Sequence, residues 1–201
     1  YYTQSELVIY NTKSKQKKVI GPSATYTNSS ISPDGKYVLI KRLKKPWSHE
    51  VGWWRFAHDI EVIDLNGNLI KTVANQPLAN EVPVRGVITG PRNVNWQPTA
   101  GHTLFWREAL DGGNPLSKVD FRDKLVKWQA PFAGEKEEVF KSEHRIQMAI
   151  WGESNGMLMV YQRERMRRWR HIWLLNVDKG TAKKWFDFSE NDRYNDPGYP
   201  I

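Results

Sequence analysis

The chain contains no cysteine, which excludes a disulfide scaffold, a thiol nucleophile and any cysteine-ligated zinc or iron–sulfur centre. It has no apolar run approaching the ~18 residues of a membrane-crossing helix. Amphipathic helical spacing is scarce as well, so the helical crossovers that a parallel βαβ sheet requires cannot be placed. Acidic charge is the minority sign: 22 Asp and Glu face 30 Lys and Arg, a net charge of +8. The opening Tyr1-Tyr2-Thr3 shows neither an initiator methionine nor a basic-then-apolar leader, and reads as the start of a mature or excised piece. What remains is a folded chain of 201 residues, 39% hydrophobic and 26% charged, too apolar for disorder and long enough for one or two domains.

Alternation is what the sequence does contain. Short runs rich in Val, Ile, Tyr and Trp recur at Leu7–Tyr10, Tyr37–Ile40, Ile60–Ile63, Thr103–Trp106, Lys124–Trp128, Met157–Tyr161 and His171–Leu175. Each has the length of one strand, and none is followed by a helix. Between them lie two kinds of turn. One is Ser32-Pro33-Asp34-Gly35-Lys36, with counterparts at Gln97–Gly101 and Gly152–Gly156. The other is Asn66-Gly67-Asn68, with counterparts at Pro131–Gly134 and Asp178–Gly180. Asp and Gly suit tight turns that need positive φ.

A four-strand unit repeated with variable insertions predicts an all-β fold of propeller blades. The expected boundaries are a half blade at 1–22, whole blades at 23–80, 91–141 and 142–189, and the start of another at 193–201. About three and a half four-stranded antiparallel blades do not close a ring, since closure takes roughly 4–8. The open flanks and strand edges therefore call for further blades of a larger protein, or for self-association. Two stretches interrupt the repeat: Lys44–Phe56, rich in tryptophan, and Leu78–Gly90. Long loops on a rigid scaffold are where function concentrates.

Several segments carry a resemblance. SPDGKYVLI at 32–40, GWWRF with IEVIDLNG, LANEVP at 78–83, PRNVNW with LFWREALDGG, and RIQMAIWGESNGMLMVYQRERMRRWRHIWLLNVDKG followed by NDRYNDPG resemble the propeller of prolyl oligopeptidase family serine peptidases. The branch they resemble is the glutamyl endopeptidase-like one. The resemblance spans nearly the whole chain from about Ser23. It implies a parent enzyme whose α/β-hydrolase domain carries a Ser, Asp, His triad, while the propeller screens substrates and docks that domain. It further implies peptide substrates, acidic ones included, no cofactor, and an exported or periplasmic setting. The alternative is a stand-alone propeller that binds protein or peptide.

Gly152-Glu153-Ser154-Asn155-Gly156 matches G-x-S-x-G, yet a strand rather than a helix follows it, so no nucleophile elbow is expected. Glu164 and His171 alone could complete the order Ser, acid, His, and both fall on the next hairpin. Five arginines between Arg163 and Arg170 form the densest basic cluster, with Arg165 and Arg168 as candidate contacts to acidic peptides. Arg55, inside the tryptophan-rich insertion, and Arg85 and Arg92, which border the second long connection, are candidate carboxylate clamps. His49-Glu50 and His58-Asp59 lack the spacing of a metal-binding helix, so no catalytic metal is expected. A nucleic-acid module would offer more than one basic cluster and a recognisable motif, so that role is not expected either. Trp96, Trp106, Trp128, Trp151 and Trp173 fall on strands and are expected between blades. Trp47, Trp53 and Trp54 fall off the repeat.

Overall fold

Side chains on a strand point alternately to its two faces, so a run such as Tyr-Val-Leu-Ile supplies apolar groups to both sides of a sheet. The computed structural model, which describes residues 3–198, shows where those faces go. The strands in chain order are β1 (Val8–Tyr10), β2 (Lys17–Val19), β3 (Thr25–Ile31), β4 (Tyr37–Leu43), β5 (His58–Asp64), β6 (Leu69–Gln76), β7 (Arg92–Trp96), β8 (Thr103–Ala109), β9 (Asp123–Gln129), β10 (Glu137–Ser142), β11 (Arg145–Trp151), β12 (Met157–Glu164), β13 (Trp169–Asn176) and β14 (Thr181–Ser189). They form a β1–β2 hairpin and three four-stranded sheets, β3–β6, β7–β10 and β11–β14, each in sequential order. Every strand pair is antiparallel.

The apolar faces meet sheet to sheet. On β4, Val38 and Ile40 pack toward the β1–β2 hairpin with Ile20, Leu7 and Ile9, while Leu39 between them joins the next sheet. On β8, Leu104 and Trp106 face the first four-stranded sheet, and Phe105 faces the third with Leu125, Leu158 and Val160. The middle sheet is thus covered on both sides. Trp96, Trp106 and Trp128 sit in the first of these interfaces, and Trp151 and Trp173 border the second. Each indole takes ~150–250 Å² out of water, which makes these rings large contributors to the stacking.

Turns at one rim tie successive sheets together. Asp34 N–H donates to the Gly101 carbonyl at 3.0 Å, and the Asp34 carboxylate pairs with His102 Nδ1 at 2.8 Å. From the middle sheet, Gln97 Nε2 reaches the Asp178 carboxylate at 3.1 Å and Thr99 Oγ1 accepts from Gly156 N–H at 3.2 Å. Gly156 has φ +69, and a Cβ there would stand 2.6 Å from an Asp178 oxygen, so both conformation and space call for glycine. In the middle sheet the positive φ falls elsewhere than on Gly134: Phe132 adopts φ 61 and lies only 1% exposed in the core. Burial of that ring offsets a backbone conformation uncommon for a side chain with Cβ.

The chain from 190 to 198 holds no strand. Of the further unit expected at 193–201, residues 199–201 lie outside the described residues, as do residues 1–2 of the expected first half.

Candidate functional site

The two insertions converge. The β4–β5 connection folds into one 3-10 turn, Trp53–Arg55, and Ala79 N–H of the β6–β7 connection donates to the Arg55 carbonyl at 2.9 Å. The second loop is pinned lower down, where Val87 N–H donates to the Gly113 carbonyl at 3.0 Å. Trp47 stacks on Phe56 at 5.6 Å and braces the first loop. Trp53 and Trp54, edge to face at 6.1 Å, remain 54% and 60% exposed.

Beneath these loops a cavity of about 640 Å³ opens between the first two four-stranded sheets. Lys41 of β4, Arg55, His58 of β5, Arg92 of β7 and Arg107 of β8 line it, together with Trp53 and Trp54, and no carboxylate is among the lining residues. A second cavity of about 210 Å³ shares Trp54, Arg55 and His58. A register shift in β7 between Arg92 and Asn95, with Asn93 at φ 55, is a bulge that turns this edge toward the opening.

The cations differ in what holds them. Arg92, 8% exposed, donates from Nη2 to Asp123 at 2.5 Å. Arg107 donates from Nη1 to the carbonyls of Ile146 and Gln147 at 3.0 and 2.9 Å. In both, the buried Nε has no hydrogen-bond partner. Burial pushes both guanidiniums down from their ordinary value, although arginine remains charged. Burial also pushes the Lys41 ammonium down, and no carboxylate among the described residues forms an ion pair with Lys41 or with Arg55. His58 is lowered chiefly by burial, with Lys41 and Lys44 adding to the effect, and its Nδ1 donates to the Phe56 carbonyl at 2.7 Å. An anion entering the larger cavity would meet Lys41 and Arg55 with no carboxylate on its walls, while Glu81 lines the smaller one.

Of the residues singled out in the sequence, Arg55 and Arg92 are brought together by this cavity. Arg85, at φ 63 in the β6–β7 loop, is exposed and does not line it. Arg165 and Arg168 occupy the exposed β12–β13 turn on the third four-stranded sheet and do not line it either. Around that turn Arg163 and Arg170 share the Glu190 carboxylate at 2.7 and 3.1 Å, and Arg167 pairs with Glu164 at 3.1 Å. Arg165 and Arg168 enter no ion pair among the described residues. Ser154 sits in the β11–β12 turn, where its carbonyl accepts from Met157 N–H at 3.0 Å. Glu164 closes the far end of β12, about 23 Å from Met157 at ~3.3 Å per residue. Sequence reasoning missed Lys41 and Arg107; the available signal was a cation inside an otherwise apolar strand, YVLIK and LFWR.

Comparison with known proteins fits this architecture. No protein-family model matches the chain. Two plant proteins, each named "Probable glutamyl endopeptidase, chloroplastic", match at 32% identity. The one from Oryza sativa subsp. japonica aligns with all of this chain, and the one from Arabidopsis thaliana with 98% of it. The chain spans only 22% and 21% of their lengths. Among solved structures, an acylaminoacyl peptidase from Pyrococcus horikoshii superimposes over 91% of this chain and 28% of its own, at TM-score 0.52 and 17% identity. An oligogalacturonate lyase in complex with manganese superimposes over 91% of this chain and 48% of its own, at TM-score 0.58 and 12% identity. At such identities the structural matches speak for the fold alone. The sequence matches give the kinship and the structural matches the architecture: the chain is homologous over its whole length to a propeller segment of the glutamyl endopeptidase-like peptidases of the prolyl oligopeptidase family.

Proposed function

We propose that the chain is the non-catalytic propeller portion of a serine peptidase, that its sheets are blades of a larger ring, and that it guides acidic peptide segments toward a hydrolase domain carried elsewhere in the whole protein. The supporting observation is the cavity under the two insertions, with Lys41, Arg55, Arg92 and Arg107 on its walls and no carboxylate among them. A peptide carboxylate would satisfy the Lys41 ammonium and the Arg55 guanidinium, which form no ion pair among the described residues, within the positive field of Arg92 and Arg107. In a partly desolvated site such charge-assisted bonds are stronger than neutral ones. Trp53 and Trp54 at the mouth supply apolar contact for the neighbouring side chains. The exposed Arg165 and Arg168 act at longer range, raising the encounter rate with acidic segments through their field. The names of the two plant relatives support cleavage after glutamate as the parent activity.

The test is binding of a Glu-rich peptide and its Gln-substituted twin to the purified chain, followed by tryptophan fluorescence. The Glu peptide is expected to bind about tenfold or more tightly, since a charge-assisted hydrogen bond contributes ~1.5–3 kcal/mol. Lys41→Met and Arg55→Met are each expected to erode that preference. Equal affinity for the two peptides would overturn the reading.

A further inference from the structure

A second cluster lies away from the cationic cavity, where three separate elements of the third four-stranded sheet and its entry meet. His144 immediately precedes β11, Glu164 ends β12 and His171 lies on β13. Their ligand-type atoms all fall within 4.8 Å of one another. The two imidazoles stack with centroids 4.7 Å apart and planes 9° from parallel. Both Nε2 atoms face the same carboxylate oxygen, Glu164 Oε2, at 4.0 Å from His144 and 3.9 Å from His171. His171 is 8% exposed, and neither of its buried ring nitrogens has a hydrogen-bond partner.

Hydrogen bonding within the protein does not account for this arrangement. A buried polar atom left unsatisfied is costly. Stacked imidazoles cannot bond to one another face to face, and protonating both would place two cations in contact. The opposite side of His171 is already organised: Asp187 Oδ1 stands 3.3 Å from Nδ1. A carboxylate beside Nδ1 favours the tautomer with its proton there, which leaves the Nε2 lone pair toward Glu164. Lys184 and the Trp169 indole hold Asp187 in turn. A cavity of about 120 Å³ opens against His144 and His171.

We propose that His144, Glu164 and His171 bind a divalent transition-metal ion of the zinc class, with Asp187 orienting His171. Nitrogen and carboxylate donors of this kind suit Zn²⁺, Co²⁺ and Ni²⁺. Tetrahedral ligands at ~2.1 Å from an ion stand about 3.4 Å apart, and because an imidazole lone pair lies in its ring plane, closing the site takes rotation of one ring, that of the less buried His144, out of the stack. Three protein ligands leave a fourth position for water. One cation competes for Glu164: Arg167 donates to the same Oε2 at 3.1 Å. Its side chain is 61% exposed, and its guanidinium also lies 4.8 Å over the Trp169 ring, a contact it can keep when it leaves Glu164. The ion would fasten the chain before β11 to β12 and β13.

The experiment uses tag-free chain stripped with EDTA, dialysed, and titrated with Co²⁺ under visible spectroscopy and with Zn²⁺ by calorimetry. Expected are one ion per chain and the ligand-field bands of nitrogen–oxygen coordination. His144→Gln and His171→Gln should abolish saturable binding, with folding checked by circular dichroism; the less buried His144 keeps the test decisive if His171→Gln misfolds. Asp187→Asn should weaken binding about 10–100-fold, whereas Arg167→Ala should tighten it by freeing Glu164. His49→Gln, remote in sequence and exposed, should bind as the wild type does. Absence of saturable one-to-one binding, or wild-type affinity in folded His144→Gln, would overturn the proposal.

Discussion

Replacing Asp123 with asparagine tests how the middle sheet is joined to the third. The Asp123 side chain is 0% exposed. One oxygen accepts from Arg92 Nη2 at 2.5 Å and also from Arg145 Nη1. The other accepts from Ile146 N–H at 2.9 Å. Arg145 continues to Asp111, also fully buried, which Arg122 contacts at 3.0 Å. One carboxylate thus links β7, β9 and β11. Asparagine keeps the shape but removes the charge and presents N–H groups to guanidinium donors, leaving two cations short of an acceptor. Removing one partner of a buried ion pair costs ~3–5 kcal/mol. For a chain of this size each kcal/mol lowers Tm by ~2–4 °C, so a fall of roughly 6–20 °C is expected. Thermal and urea unfolding followed by circular dichroism would measure it, with the exposed Asp120→Asn as control. A loss below ~1 kcal/mol would refute the reasoning, because the pairing would then contribute no more than a surface ion pair does.

Three further outcomes follow from the same structure. His102 is the main reason the Asp34 carboxyl lies far below the usual carboxylate range. A carboxylate depressed in the folded state contributes stability above its unfolded pKa of ~3.9 and loses it as pH falls further. The advantage of wild type over Asp34→Asn should therefore be present at pH 6 and shrink below about pH 4, while His102→Gln should raise the Asp34 titration midpoint seen by NMR. Ser154→Ala should change stability by less than ~0.5 kcal/mol, as at an ordinary surface turn, and a fluorophosphonate serine probe should leave the chain unlabelled; stoichiometric labelling would contradict the turn assignment. Reversing Arg165 and Arg168 to glutamate should slow association with acidic peptides at low salt and leave the rate nearly unchanged at 1 M salt, where the Debye length is ~3 Å; stopped-flow fluorescence would report it.

The strands were legible because their apolar residues alternate against turns of recognisable chemistry, and every run named from Leu7 to Leu175 overlaps a strand of the structure. The stacking tryptophans were legible for the same reason. Phe132 was not: its left-handed backbone is set by the packing of a buried ring, which no local turn rule contains. The site was half legible. Arg55 lies within one insertion and Arg92 just after the other, but Arg92 and Arg107 become neighbours only through the β7–β8 register. Lys41 joins them across an interface between sheets. The cluster of His144, Glu164 and His171 draws on three segments, and strand pairing alone brings them together.

The rim bonds from Asp34 to Gly101 and His102, and from Gln97 and Thr99 to Asp178 and Gly156, make the molecule behave like a short row of coupled plates. Each plate is clasped only by its neighbours, so local opening should run inward from the two ends. Amide hydrogens of Leu104, Trp106 and Val126, sheltered on both sides, would then be the last to exchange with deuterated solvent, and those of the β1–β2 hairpin among the first.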